Sequence, residues 1–102
     1  DREMLAQDGL VLVVTSVDAR LKKIIAGPTV EMKGFVVGET AEEVSRAVSQ
    51  LSEEIINSFL AKRYIDWASL KNQLKESITK EVLKLTNKNP IIMVSLIDVE
   101  SK

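Results

Sequence analysis

Carboxylates are the first side chains here that could do chemistry. Glu42-Glu43 and Glu53-Glu54 are adjacent acidic pairs, and paired carboxylates can serve as general acid and base or hold magnesium. Neighbours on a helix point about 100° apart, so neither pair converges on one point. A solvated helix face accounts for them, with Glu43 in a capping role. The sequence has no histidine and no cysteine. That removes the usual general base, the Ser-His-Asp relay, disulfides, thiolate metal sites and nearly every zinc or iron centre. No catalytic residue, no metal ligand set and no cofactor site is expected in this chain.

Lysines are the second candidate. Between Lys62 and Lys88 lie seven Lys or Arg against three Asp or Glu, a local basic excess that could touch phosphates. Lys71, Lys75, Lys80 and Lys84 are the candidate RNA contacts. Helical spacing sets the first two on a different side from the last two, the pattern of an ordinary solvated helix. Gly27-Pro28 and Gly34 are isolated and do not form a Gly-rich phosphate loop feeding a helix. They read as strand punctuation. Aromatic residues are few. Phe59 and Trp67 fall on apolar helix stripes, and only Phe35 is placed to lie on a sheet surface, so a base-stacking platform is not indicated.

The elements that position these residues follow from hydrophobic patterning. Residues 1–8 read as a tail or linker remnant, and residues 9–100 as one domain. Leu10 to Val14 is an unbroken aliphatic run, which predicts a strand buried on both faces. A polar turn over Asp18 to Lys23 leads to a second strand from Ile24 to Val37. Pro28 lacks an N–H, so that strand should be bent, bulged or at an edge. Thr40-Ala41-Glu42-Glu43 has the form of a capping box. Behind it, Val44, Val48, Leu51, Ile55 and Phe59 form one apolar stripe of a helix over about residues 41–62. Asp66 is a good N-cap for a second helix, whose stripe is Trp67, Leu70, Leu74, Ile78, Val82 and Leu85. The Asn87–Pro90 stretch ends it, and Ile91 to Val99 is the last strand. The expected fold is α+β, a three-stranded sheet with two antiparallel helices packed on one face, in the order β-β-α-α-β.

The strands carry more apolar residues than this fold can cover. A sheet with helices on one face should alternate apolar and polar positions. In the last strand Ile92, Val94 and Leu96 suffice for the helix face, and Ile91, Met93, Ile97 and Val99 fall on the other. In the first strand both the Leu10-Leu12-Val14 set and the Val11-Val13 set are apolar. Covering ~300 Å² or more of such surface takes a partner, or else the chain's own tail or long second strand wrapped over it. At ~25 cal/mol per Å², docking it is worth several kcal/mol. The candidate protein-interface residues are Val11, Val13, Ile91, Met93 and Ile97, joined by Met32 and Phe35.

Composition narrows the class further. The 102 residues allow one domain, and 45% hydrophobic content is that of a folded chain. No apolar run has the length of a membrane span or the flanks of a signal peptide, so no membrane partner is expected. The net charge of −1 gives no overall sign of nucleic-acid binding. A cytoplasmic location fits the absence of cysteine. The opening Asp1, with no initiator Met, suggests a fragment or a processed product.

Five short motifs occur in one order: Asp8-Gly9 with the valine-rich strand ending at Asp18, Ala26-Gly27-Pro28, Lys33-Gly34-Phe35-Val36, Asp66-Trp67-Ala68-Ser69-Leu70-Lys71, and Thr86-Asn87-Lys88-Asn89-Pro90 followed by two isoleucines. This order resembles the C-terminal domain of ribonuclease J, a bacterial metallo-β-lactamase nuclease of the β-CASP group, over nearly the whole chain. The resemblance implies a zinc-dependent parent with endonuclease and 5′-3′ exonuclease activity in RNA degradation and rRNA processing. Its catalytic zinc lies in an N-terminal β-lactamase domain with a His-rich motif, which this histidine-free chain does not contain. It further implies a non-catalytic accessory domain serving subunit assembly and support of activity. The partners would be another copy or a paralogous subunit, the parent's own catalytic domains, and RNA through the full-length protein. Two stretches depart from the family pattern. Thr29-Val30-Glu31-Met32-Lys33 is less polar, and Leu85 to Asn89 is less basic. Both departures argue against direct RNA contact and point towards a less active paralogue in a mixed complex. The alternative reading is an RNA-contacting module using the lysine-bearing helix. A small independent enzyme lacks any supporting constellation.

Overall fold

A computed structural model describes residues 8–34 and 39–99. The elements are β1 (Leu10–Asp18), β2 (Lys23–Lys33), α1 (Glu39–Leu60), α2 (Trp67–Thr86) and β3 (Ile91–Asp98). This is the expected β-β-α-α-β order and an α+β fold. The strand order is β2-β1-β3, with β1 in the centre. β2 runs antiparallel to β1, and β3 runs parallel to it. The central position explains why β1 is aliphatic on both faces: it has a strand on either side and contributes to both surfaces of the sheet.

The expected irregularity in β2 is present and has a definite form. Val14 pairs with Thr29 and Ser16 with Ala26, so Gly27 and Pro28 together face Thr15 alone. A second shift follows between Ser16 and Val17. These are β-bulges, and the Gly27–Pro28 peptide bond is cis. β2 is an edge strand, where a residue without an N–H is tolerated. The expected continuation of β2 through Val37, with Phe35, lies outside the described residues.

Four hydrogen bonds hold the strand ends. The Asp18 carboxylate accepts from the Leu21 amide at 3.0 Å and closes the hairpin turn. The Ala19 amide donates to the Asp98 carboxylate at 3.2 Å, which ties that turn to the end of β3. At the other end, the Asn89 amide donates to Asp8 Oδ2 and the Ile91 amide donates to the Gly9 carbonyl, each at 3.0 Å. Gly9 has φ +82°, and a Cβ there would collide with the Lys33 carbonyl where β2 passes. Only glycine meets both conditions at low cost.

Both helices pack on the sheet face that carries Val11, Val13 and Val17, and together with Ile92 they enclose the core. On α1 the fully buried line is Val44, Val48, Ser52, Ile56 and Leu60, a strict four-residue repeat. Leu51, Ile55 and Phe59, expected at the centre of the stripe, flank it as half-buried residues. Ser52 sits on the buried line despite its hydroxyl, so a purely apolar count misplaces the face. Thr40 lies inside α1 rather than ahead of it, which corrects the capping-box expectation, because an N-cap residue has non-helical angles. On α2 the buried line is Leu70, Leu74, Ile78 and Val82, with Trp67 and Leu85 partly buried at its ends, as the spacing predicts. Asp66 is the N-cap, accepting from the Ser69 amide at 3.0 Å and from the Ser69 hydroxyl at 2.8 Å. Asn87 ends α2 in the left-handed conformation.

Candidate functional site

The other face of the sheet carries no helix among the described residues. Pair by pair, its rows read Lys33-Leu10-Ile91, Glu31-Leu12-Met93, Thr29-Val14-Ser95 and Ala26-Ser16-Ile97. The apolar side chains gather on β1 and β3, and the polar ones lie along β2. Met93 is 51% exposed and Ile97 47%, while Leu10, Leu12, Val14 and Ile91 are half-buried. Leu10, Leu12 and Val14 are flanked by a strand on either side. Six large apolar side chains on one flank of an otherwise polar surface form a surface of the kind that docks protein.

This assigns the candidate interface residues one by one. Ile91, Met93 and Ile97 are on the uncovered face. Val11 and Val13 are not: both are fully buried beneath the helices. Met32, paired with Val11, also packs against that core. These three are corrected, and Leu10, Leu12 and Val14 take their place. A shift of one residue exchanges the faces of a strand, and with both sets apolar the Leu10–Val14 run could not choose between them. The deciding signal lies further along β1. The set through Leu10, Leu12 and Val14 continues to Ser16 and Asp18, while the set through Val11 and Val13 continues to Thr15 and Val17. The more apolar continuation is the buried one. Phe35 lies outside the described residues.

Other clusters do less. Lys71, Lys75, Lys80 and Lys84 are all exposed on α2. Lys75 and Lys80 border one shallow recess together with Glu76 and Thr79, so an acidic side chain stands between the two cations. The structure does not gather the four lysines into one basic surface. A recess of about 690 Å³ beside α1 is lined by Glu42, Arg46, Ser49 and Glu53, with Met32 from β2. Among the described residues no group of three or more His, Cys, Asp or Glu could hold a metal ion. With no histidine or cysteine in the sequence, the donors present do not fit a zinc centre.

Two supporting contacts were not foreseen. Lys22, at positive φ in the hairpin turn, donates from its ammonium to the carbonyls of Leu60 (3.2 Å) and Lys62 (2.5 Å). α1 has no basic residue in its own last turn, so Lys22 supplies the cation that its C-terminal carbonyls favour. The Ser49 hydroxyl donates to the Pro28 carbonyl at 3.3 Å and ties α1 to the bulge in β2. Long-range contacts of this kind leave no periodic trace in a sequence. Asp66 has a lowered pKa. The Ser69 amide and then the Ser69 hydroxyl hold its carboxyl below the usual value. That is a capping effect.

The fold is an α+β module with two helices on one face of a three-stranded sheet and an apolar flank on the other. The sequence matches the ribonuclease J C-terminal domain family over residues 1–99, and the chain belongs to that family. It is similar to ribonuclease J 2 of Staphylococcus aureus strain NCTC 8325, at 28% identity over 91% of this chain and 17% of that protein. Ribonuclease J 2 of strain MRSA252 shows the same figures. Ribonuclease J 2 of Staphylococcus saprophyticus is 27% identical over the same shares. The chain thus spans about a sixth of the length of the curated relatives it matches. No helix among the described residues is long and apolar enough to cross a membrane.

Proposed function

We propose that this chain is the non-catalytic C-terminal accessory domain of a bacterial ribonuclease J-type enzyme of RNA processing and decay. In this reading it serves subunit assembly and supports an activity housed elsewhere in the parent. The zinc chemistry belongs to the parent's catalytic domain, and the protein works in the cytoplasm. The uncovered apolar flank of the sheet, Leu10, Leu12 and Val14 with Ile91, Met93 and Ile97, carries the proposal. It docks against another copy, a paralogous subunit or the parent's own catalytic domains. RNA is met through the full-length protein rather than through the four dispersed lysines of α2.

The test is Leu12→Glu in the full-length nuclease. Leu12 lies on the central strand in the middle of the uncovered face, so a charge there spoils docking without entering the helix-covered core. The expected result is a lower mass in solution or a loosened arrangement of domains, together with reduced RNA cleavage. Unchanged mass, unchanged domain arrangement and unchanged cleavage would remove the proposal.

A further inference from the structure

The sheet order leaves one edge of β2 and one edge of β3 unpaired among the described residues. The two edges are built differently. The β2 edge is blunted by two register shifts, by Pro28, and by Lys23, Glu31 and Lys33. These are the devices that keep an edge strand from pairing with another chain. The β3 edge has none of them. Its eight residues, Ile91 to Asp98, contain no proline, no glycine and no charge before the last position.

Two backbone bonds fix how β3 is oriented. The Ile91 amide donates to the Gly9 carbonyl and the Val99 amide to the Val17 carbonyl, at 3.0 and 2.7 Å. Odd-numbered residues therefore turn their peptide groups towards β1. Those of Ile92, Val94 and Leu96 point out to the free edge, because successive residues of a strand alternate. The sequence is also close to symmetric about Val94. Reading outward, Met93 is matched by Ser95, Ile92 by Leu96, and Ile91 by Ile97.

Resting on the assembly reading, we propose that the free edge of β3 pairs antiparallel with β3 of a second copy of this chain, about a two-fold axis through Val94. This register satisfies both the backbone and the side chains. Ile92 meets the partner's Leu96, Val94 meets the partner's Val94, and Leu96 meets the partner's Ile92. These are the residues whose peptide groups face outward, so each pair exchanges both of its hydrogen bonds. On the uncovered face Ile91 lies opposite the partner's Ile97, and Met93 opposite the partner's Ser95. Moving the axis to Ser95 would set Ile92 against Asp98. Moving it to Met93 would set Leu96 against Pro90, which has no N–H. Moving it by half a residue would oppose the helix-covered set of one copy to the bare set of the other. The Val94 register joins two three-stranded sheets into one and brings the two apolar flanks side by side.

The experiment is sedimentation equilibrium on the chain with Ile91→Glu, with Ile97→Lys, and with both together. Both positions are on the uncovered face, away from the helix core. The wild-type chain is expected to be a dimer. Each single variant should raise its dissociation constant by about tenfold or more, since a charge is then held against an isoleucine. The double variant sets the carboxylate introduced at position 91 against the ammonium introduced at position 97 of the other copy, and it should recover the dimer. On the wild-type chain, amide exchange at Ile92, Val94 and Leu96 should slow as concentration rises, a readout that does not depend on any variant folding. A dimer that ignores Ile97→Lys overturns edge pairing, and assembly then proceeds through another surface. Failure of the double variant to recover overturns the Val94 register. A chain that is monomeric, with those amides unprotected at every concentration, overturns edge pairing as well. In that case Leu12→Glu, on β1 one strand in from this edge and not on it, still decides the assembly reading in the full-length nuclease.

Discussion

Truncating two neighbouring residues of β1 should give costs in the reverse order of their size. Val13 is fully buried in the helix-covered core, whereas Leu12 is half-buried on the uncovered face. Val13→Ala removes two carbons from a packed site, worth about 1.6 kcal/mol at ~0.8 kcal/mol per buried carbon. The cavity left behind adds to this at ~24 cal/mol per Å³, so the total comes to about 2–3 kcal/mol. Leu12→Ala removes three carbons, but they already meet solvent on one side, and its cost should stay near or below ~1 kcal/mol in the unassembled chain. Urea unfolding of both variants at low micromolar concentration measures this through a shifted midpoint at unchanged slope. In a thermal scan Val13→Ala should fall by about 10 °C or more, at ~4–8 °C per kcal/mol for a domain of this size. If Leu12→Ala proves as costly as Val13→Ala, or costlier, the assignment of the two faces is reversed and the docking surface does not exist.

Stability should also depend on Asp66 in acid. Its carboxyl is held below the ordinary value by the Ser69 amide and hydroxyl. A depressed carboxyl contributes stability that is fully present above the unfolded-state value and is lost as pH falls through the folded one. The acid limb of the wild-type stability profile should therefore flatten in Asp66→Asn, which keeps a capping oxygen but cannot titrate. Gly9→Ala should cost more than ~1 kcal/mol in the same urea assay, because positive φ and the Lys33 carbonyl both oppose a Cβ. Binding of single-stranded RNA by the chain should be weak and should fade steeply with salt. Charge removal at Lys71, Lys75, Lys80 or Lys84 should weaken it only slightly at each position, whereas one lysine that abolished binding would mark a real site.

The sequence carries the elements well where a period is long and uniform. The α2 stripe from Leu70 to Val82 maps directly onto the buried line, and Asp66 caps where its chemistry says it should. α1 is less legible because Ser52, a polar residue, occupies the centre of its buried line, which turned the expected stripe towards Leu51, Ile55 and Phe59. An excess of apolar residues on the strands signalled an uncovered sheet face. The central placement of β1 between an antiparallel and a parallel neighbour left no mark that chooses between Val11-Val13 and Leu10-Leu12-Val14, short of the polar ending at Ser16 and Asp18. Lys22 at the end of α1 could not be foreseen from spacing, since that contact depends on where the hairpin turn meets the helix.

Methionine oxidation tests the docking surface without any amino-acid substitution. Met93 on the uncovered face is 51% exposed, whereas Met32 packs against the helix-covered core. A thioether is oxidised by peroxide according to its access to solvent. Mass spectrometry of peptides from the dilute chain should show Met93 converted to sulfoxide much faster than Met32. In the assembled full-length nuclease, Met93 should become as slow as Met32. Oxidation of Met93 at the same rate in the dilute chain and in the assembled nuclease would contradict the claim that this face is covered by protein.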